Sequence, residues 1–451
     1  MSVSAIQTAT RSPRAGERLD GVTALEDLKG VPHGAAGSDV EFDPRDGLER
    51  VGALGALKNR DFARYWSTLC LSMTGSWVRI TAMGVLVYEI TGDPFKLGLI
   101  GFAQAAPELF VGPVAGAYLD RVDRRKVLVV VQAIAIAMMI LVTTLIVTDA
   151  IAFWHLLIVA LVIGTITGFD WPARMALSPT LVDRSQLQSA VALSAAAFNG
   201  SRVIGPTIAG WLIGGFGLAA CFAFTGLAAV PFMLILMTLT IVRRAPAHGA
   251  TDESPFRSLI EGYKYIWRTP AIRGLLSVDI VPIALGMSYA TMAPAIAKDV
   301  LHLPDGGLGW LLGAAGVGAL SGTMLVAILH GIRHRGRIVV LAIAGFGIVL
   351  IVFGLSGSAW LSFPAIAALG LVFAGYSTLN DTLVQTNIDE GYRGRVVAVQ
   401  TMLWGLTPIG GLLAGYLASR FNVQWAVAIN GMLVLAYVPY LWFRTPVRSI
   451  P

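Results

Sequence analysis

Gly116–Val127 reads GAYLDRVDRRKV, and the fold turns on it. The apolar run 96–119 leads into this stretch and the apolar run 127–148 leaves it, with four basic residues, Arg121, Arg124, Arg125 and Lys126, at the join. Two apolar stretches of spanning length joined by a short charged turn make a membrane hairpin with its loop in water. The pattern recurs at an offset of 210 residues: Val326–Arg337, VAILHGIRHRGR, ends one apolar run and opens the next. Two diverged copies of one hairpin predict a chain built from two related halves. Internal repeats of this kind place a substrate site where the halves meet.

Outward from these hairpins the same grammar continues. Twelve apolar runs are predicted at 63–90, 96–119, 127–148, 151–172, 190–213, 218–242, 272–297, 308–330, 338–357, 360–381, 396–418 and 424–443. Of 451 residues 55% are apolar and 13% charged, against about 25% charged in soluble proteins. That excludes a water-soluble globule, a disordered chain and a coiled coil. The runs lack the period-two alternation of an outer-membrane barrel. The expectation is an all-α membrane protein of twelve transmembrane helices in two pseudo-symmetric six-helix bundles. Fifty glycines suit close helix packing in lipid.

The domain plan follows. Residues 1–57 hold nine acidic and six basic residues and no apolar run, and are expected to form a flexible cytoplasmic tail. Residues 58–242 form the first bundle, 243–271 a cytoplasmic central linker and 272–451 the second bundle. With the tail inside, seventeen Lys and Arg, Arg174 among them, fall in cytoplasmic loops, against Lys96, Lys298 and Arg420 opposite. Basic residues gather on the cytoplasmic side, so both termini are expected there. The same asymmetry accounts for the net charge of +6 without nucleic acid. Cys70 and Cys221 lie in apolar runs and six histidines are scattered, so neither a disulfide framework nor a metal site is expected.

The hairpin loop resembles the signature loop of the major facilitator superfamily, and the resemblance covers essentially everything after residue 57. Gly116, Asp120, Arg121, Arg124, Arg125 and Lys126 match the motif, while Asp123 replaces its second glycine. The resemblance implies that Gly116, Asp120, Arg121, Arg124 and Arg125 form a conformational latch between the halves. Arg202-Val-Ile-Gly205-Pro206-Thr-Ile-Ala-Gly210 resembles the glycine–proline motif of exporters in this superfamily, with Trp211 in place of its second terminal glycine. Gly205 and Gly210 thin the helix for close packing, and Pro206 removes a backbone donor and permits a bend. Gly75-Ser-Trp77, Leu86–Thr91, Phe169–Arg174 and Arg393-Gly-Arg395-Val are similar to bacterial drug and siderophore exporters, including the enterobactin-exporter-like group.

Charges inside apolar runs are costly in hydrocarbon and mark function by default. Glu108 and Asp279 are the candidate proton-coupling acids. Arg79, Gln104, Arg202, Tyr289, Gln400 and Trp404 are candidates to line the substrate pathway. At 1.5 Å per residue, Glu108 and Arg202 lie at about 17 and 18 Å from the cytoplasmic ends of their helices, and Arg79 at roughly 24 Å. Glu108 is therefore either half of a structural Glu–Arg pair or a carboxylate that exchanges protons as access alternates. Neither a phosphate-binding Walker lysine motif nor HExxH is present. Gly354-Leu-Ser356-Gly357 suggests an intramembrane serine protease, but no histidine follows His334 to act as base. No catalytic residue and no cofactor are expected. The predicted activity is proton-coupled export of a small amphiphilic or hydrophobic molecule, drug- or siderophore-like, by alternating access. The partners are the bilayer, the substrate and protons, the protein is monomeric, and its place is the bacterial inner membrane. The alternatives are an importer or lipid-type permease of the same fold, or a non-transporting membrane interaction protein.

Overall fold

The computed structural model describes residues 54–119, 122–239, 255–328 and 334–450, and all regular structure in them is helical. The first six long helices are α1 (Arg60–Thr91), α2 (Pro94–Leu119), α3 (Arg124–Val147), α4 (Phe153–Leu177), α5 (Leu187–Phe216) and α6 (Leu218–Thr238). A shorter α7 (Pro255–Arg268) precedes α8 (Pro270–Val300), which is broken by π-turns at Pro282–Gly286 and Ile296–Val300. Then come α9 (Gly307–Ile328), α10 (Arg335–Leu355), α11 (Ala359–Asn387), α12 (Arg393–Arg420) and α13 (Val423–Arg444). Among the described residues ten helices are long and apolar enough to cross a membrane. Outside that set, α2 and α5 are as long, at 26 and 30 residues.

Local chemistry sets the helix ends. The Asn59 side chain accepts from the N–H groups of Asp61 and Phe62 (3.0 and 3.2 Å), Asp123 caps α3 through the Arg125 N–H (3.0 Å), and Asn422 caps α13 through that of Trp425 (2.8 Å). Each satisfies N–H groups that a helix start leaves without an intrahelical partner. Gly92 closes α1 at φ 58°, a left-handed conformation that glycine adopts without a Cβ clash. Pro282 supplies no backbone donor, and α8 widens into its π-turn there.

Packing repeats between the first six helices and the last six long ones. In the first set α2 packs on α4, α3 on α4 and α6, and α1 on α5 and α6; in the second, α9 packs on α11 and α10 on α11 and α13. The sets meet through α2 with α12, α5 with α9 and α1 with α8. Trp154, Trp211, Trp310, Trp360 and Trp425 are all exposed near the end that carries the α1–α2 turn, as an interfacial aromatic belt requires.

Three expectations change. The chain joins the bundle before residue 58, because the buried Ala56 N–H donates to Ser189 Oγ at 3.1 Å; residues 1–53 lie outside the described residues. The stretch 243–271 is not a plain linker, since its second part is α7. Arg174 is no loop residue. It is buried within α4, which continues through Pro172 to Leu177.

Candidate functional site

Two polar clusters interrupt the apolar interior. The first joins α1, α2, α3 and α4. Asp170 and Arg174, one helical turn apart on α4, form an ion pair at 2.7 Å. Gln132 of α3 donates to Asp170 at 3.0 Å, and Arg174 donates to Ser72 of α1 at 3.4 Å. The Arg174 guanidinium also lies 4.4 Å from the centre of the Phe232 ring, near enough for a cation–π attraction. Asp170, Arg174, Gln132 and Ser72 border a cavity of about 60 Å³ together with Arg79 and Thr225. The Arg174 Nη1 has no partner among the described residues, and a polar cavity of this size has room for water to meet it.

Arg79 lies on the edge of the same cavity, buried, and donates to Gln104 Oε1 at 3.1 Å. Glu108 is one turn further along α2. It is exposed, forms no hydrogen bond or ion pair among the described residues, and carries a charge on which Arg79 and Asp170 act. Among the described residues Glu108 makes no ion pair with Arg79 or Arg202. Arg79 spends its hydrogen bond on Gln104, while the half-buried Arg202 lies 5.9 Å from the centre of the Trp77 ring. Tyr289 is buried, feels the Arg202 charge, and meets Phe353 edge-on.

The second cluster joins α8, α11 and α12. Asn380 donates to Asp279 Oδ2 at 2.9 Å and to the Leu275 carbonyl at 3.2 Å, and Gln400 donates to Asp381 at 2.8 Å. Asp279 is 4% exposed and its Oδ1 has no partner among the described residues. The Asp381 charge stands close enough to repel it. Trp404, at the break in α12, is exposed and meets Phe373 edge-on at 6.0 Å. With the 210-residue offset, Asp170 of the first cluster corresponds to Asn380 of the second. Each half thus ties its first helix to its fourth by a buried polar contact. Sequence reasoning named Asp279 and Gln400 but missed Asp170, Arg174, Asn380 and Asp381 as site groups. The signal available was the i, i+4 spacing of Asp170 and Arg174.

The remaining candidates are structural in position. Gly116 lies in α2, while Asp120 and Arg121 lie outside the described residues. Arg125 donates to the carbonyls of Met237 and Leu239 at the end of α6, and Arg124 to that of Ala176 at 3.4 Å. Cations suit such helix C-termini. Gly205 and Pro206 are buried, and Gly205 lets α5 touch α1 at Thr74 and Trp77. At Gly210 α5 meets α9: a Cβ there would sit 2.5 Å from the Gly306 carbonyl oxygen and 2.9 Å from the Gly309 Cα. Similar backbone approaches between the two sets occur at Gly98 with Gly411 and at Gly415 with Pro94, and Tyr88 hydrogen-bonds Asp299. All of them lie toward the α1–α2 end.

Comparison with known proteins agrees with this architecture. The family profile of transmembrane secretion effectors matches residues 51–450. The multidrug efflux pump Tap of Mycolicibacterium fortuitum is 26% identical over 365 residues, covering 78% of this chain and 87% of the pump. The staphyloferrin A transporter of Staphylococcus aureus is 24% identical over 391 residues, covering 84% and 95%. Among solved structures, a bacterial homologue of the human lysosomal transporter Spinster, in an inward-facing and unoccupied conformation, superposes with a TM-score of 0.66 at 14% identity, covering 86% and 95%. The chain belongs to the transmembrane secretion effectors of the major facilitator superfamily, and is a membrane transporter rather than an enzyme.

Proposed function

We propose that this transporter exports a small amphiphilic or hydrophobic molecule, drug- or siderophore-like, in exchange for protons. Twelve spanning helices in two six-helix bundles rock about their shared interface, in the bacterial inner membrane, as a monomer with both termini inside. Export is supported by the relatives, a multidrug efflux pump and a siderophore transporter. Alternating access is supported by the placing of the backbone approaches between the halves. Such a conformer is sealed at the α1–α2 end and takes substrate from the cytoplasm. Rocking breaks the contacts at Gly98 and Gly210 and opens the other side.

The observation that carries proton coupling is Glu108: an accessible carboxylate without a hydrogen-bond or ion-pair partner among the described residues, one turn from the Arg79–Gln104 contact. A permanently paired acid would be held ionised, whereas one that only feels the charge of a buried cation gains and loses a proton as its surroundings change. Proton binding from outside returns the empty carrier, and release inside readies it for substrate. Trp404 and Phe373, beside the polar Gln400 and Asp381, offer the mixed surface that an amphiphile needs.

Glu108→Gln keeps shape and hydrogen bonding but cannot titrate. The variant is expected to bind substrate and exchange it downhill, and to lose accumulation driven by a pH gradient. Full gradient-driven accumulation in Glu108→Gln contradicts the assignment. The unpartnered Oδ1 of Asp279 beside Asp381 favours a second reading, with the coupling proton there. Asp279→Asn separates the two: on the first reading it keeps gradient-driven transport, and on the second it loses it.

A further inference from the structure

Helix α7 has three distinct faces. Gly262, Tyr265 and Ile266 point into the protein. The Tyr265 ring stacks on Tyr392 at 4.2 Å, its hydroxyl donates to Asp389 at 3.1 Å, and Glu261 pairs with Arg395 at 2.8 Å. A Cβ on Gly262 would meet that of Arg395 at 3.1 Å, so the two backbones run close. The helix is clamped to the turn between α11 and α12. On the open side Ile260, Tyr263 and Trp267 are 39%, 54% and 74% exposed. At about 100° per residue these three share one arc of roughly 60°. Lys264 and Arg268, also exposed, occupy the adjoining arc and form no ion pair among the described residues. Only Thr269 separates α7 from α8, which is long and apolar enough to cross a membrane, and Arg273 at its start lies 5.3 Å from the Trp267 ring centre.

We infer that α7 lies in the plane of the membrane surface and binds anionic phospholipid headgroups. Its position one residue from a spanning helix puts the exposed stripe at the lipid boundary. There Trp and Tyr are favoured because one end of the ring is apolar and the other wet. An apolar stripe flanked by basic residues is the pattern of helices that bury one face at the headgroup level and pair the other with negative charge. Lys264, Arg268 and Arg273 supply that charge. The Tyr265 and Glu261 contacts tie the helix to the turn before α12 and to its start at Arg395.

The test uses full-length protein with Tyr263→Cys, in a background lacking Cys70 and Cys221, labelled with a fluorophore. The protein is reconstituted in phosphatidylcholine vesicles that contain spin-labelled phosphatidylglycerol or spin-labelled phosphatidylcholine at equal fraction. Lipid-borne quenchers are expected to quench the label. The phosphatidylglycerol quencher is preferred by roughly fivefold for each basic side chain engaged, the ratio to which about 1 kcal/mol corresponds. Added salt narrows the preference, and Lys264→Gln with Arg268→Gln reduces it by more than tenfold without moving the label out of the bilayer. Equal quenching by both lipids overturns the inference, as does a label that neither lipid quenches, which would assign this face to a protein partner. Loss of the preference on adding inorganic phosphate at constant ionic strength also overturns it, in favour of a free-phosphate site. None of these readouts uses transport, so they stand apart from the direction of export and from its coupling.

Discussion

Arg174→Met is expected to remove most of the folded protein. The arginine is 4% exposed and holds Asp170 at 2.7 Å, Ser72 at 3.4 Å and the Phe232 ring. Methionine fills much of the same volume but leaves the Asp170 carboxylate with Gln132 as its remaining hydrogen-bond donor. Stranding one member of a buried ion pair costs about 3–5 kcal/mol, while replacing both by apolar groups is often close to neutral. The double variant Arg174→Met/Asp170→Leu should therefore recover most of what the single variant loses. Thermal unfolding in detergent, followed by size-exclusion chromatography, gives both numbers. A single variant as stable as the wild type would mean that the pair does not hold α1 to α4.

Gly210→Leu is expected to leave the protein inserted and folded but to depress export by one to two orders of magnitude. Here α5 meets α9 backbone to backbone, and even a methyl group would sit 2.5 Å from the Gly306 carbonyl oxygen. Overpacking of this kind costs about 1–3 kcal/mol, which shifts a two-state equilibrium by about 5–150-fold. On the proposed rocking cycle the cost falls on the conformer sealed at the α1–α2 end, since the other conformer would separate these helices. Reactivity of a single cysteine at Thr207, whose side chain faces Gly313 of α9, should rise in the variant as the sealed state is depopulated. Unchanged export and unchanged labelling would show that this contact is not broken in the transport cycle.

The helices were legible because hydrocarbon leaves a spanning chain little choice. Each span needs a long apolar run, and the turns collect charge. What escaped were the places where a helix continues into polar sequence. Asp170, Pro172 and Arg174 resemble the end of a helix, yet α4 runs on to Leu177 because the two charges satisfy each other inside it. In the same way α11 continues to Asn387, beyond the apolar run that stops at 381, with Leu383 and Val384 still on its buried face. Asp381 is the last residue of that run and reads only as its polar end. Helix α7 was overlooked because four charges among its fourteen residues break up any apolar run, although Ile260, Tyr263 and Trp267 already keep helical spacing. For Glu108 the sequence left two outcomes. Gln104, one turn away, is bonded to Arg79, and Glu108→Gln is the variant that separates them.

Exchange requires that substrate and protons move in opposite directions through this protein. Reconstituted vesicles carrying an internal pH indicator, exposed in turn to amphiphilic drugs and siderophores, measure this directly. At least one compound is expected to trigger proton movement against its own flux in wild-type vesicles, and none in Glu108→Gln vesicles that still exchange the compound. Compound flux with no proton movement in the wild type, or with protons travelling alongside the compound, would contradict the proposed exchange.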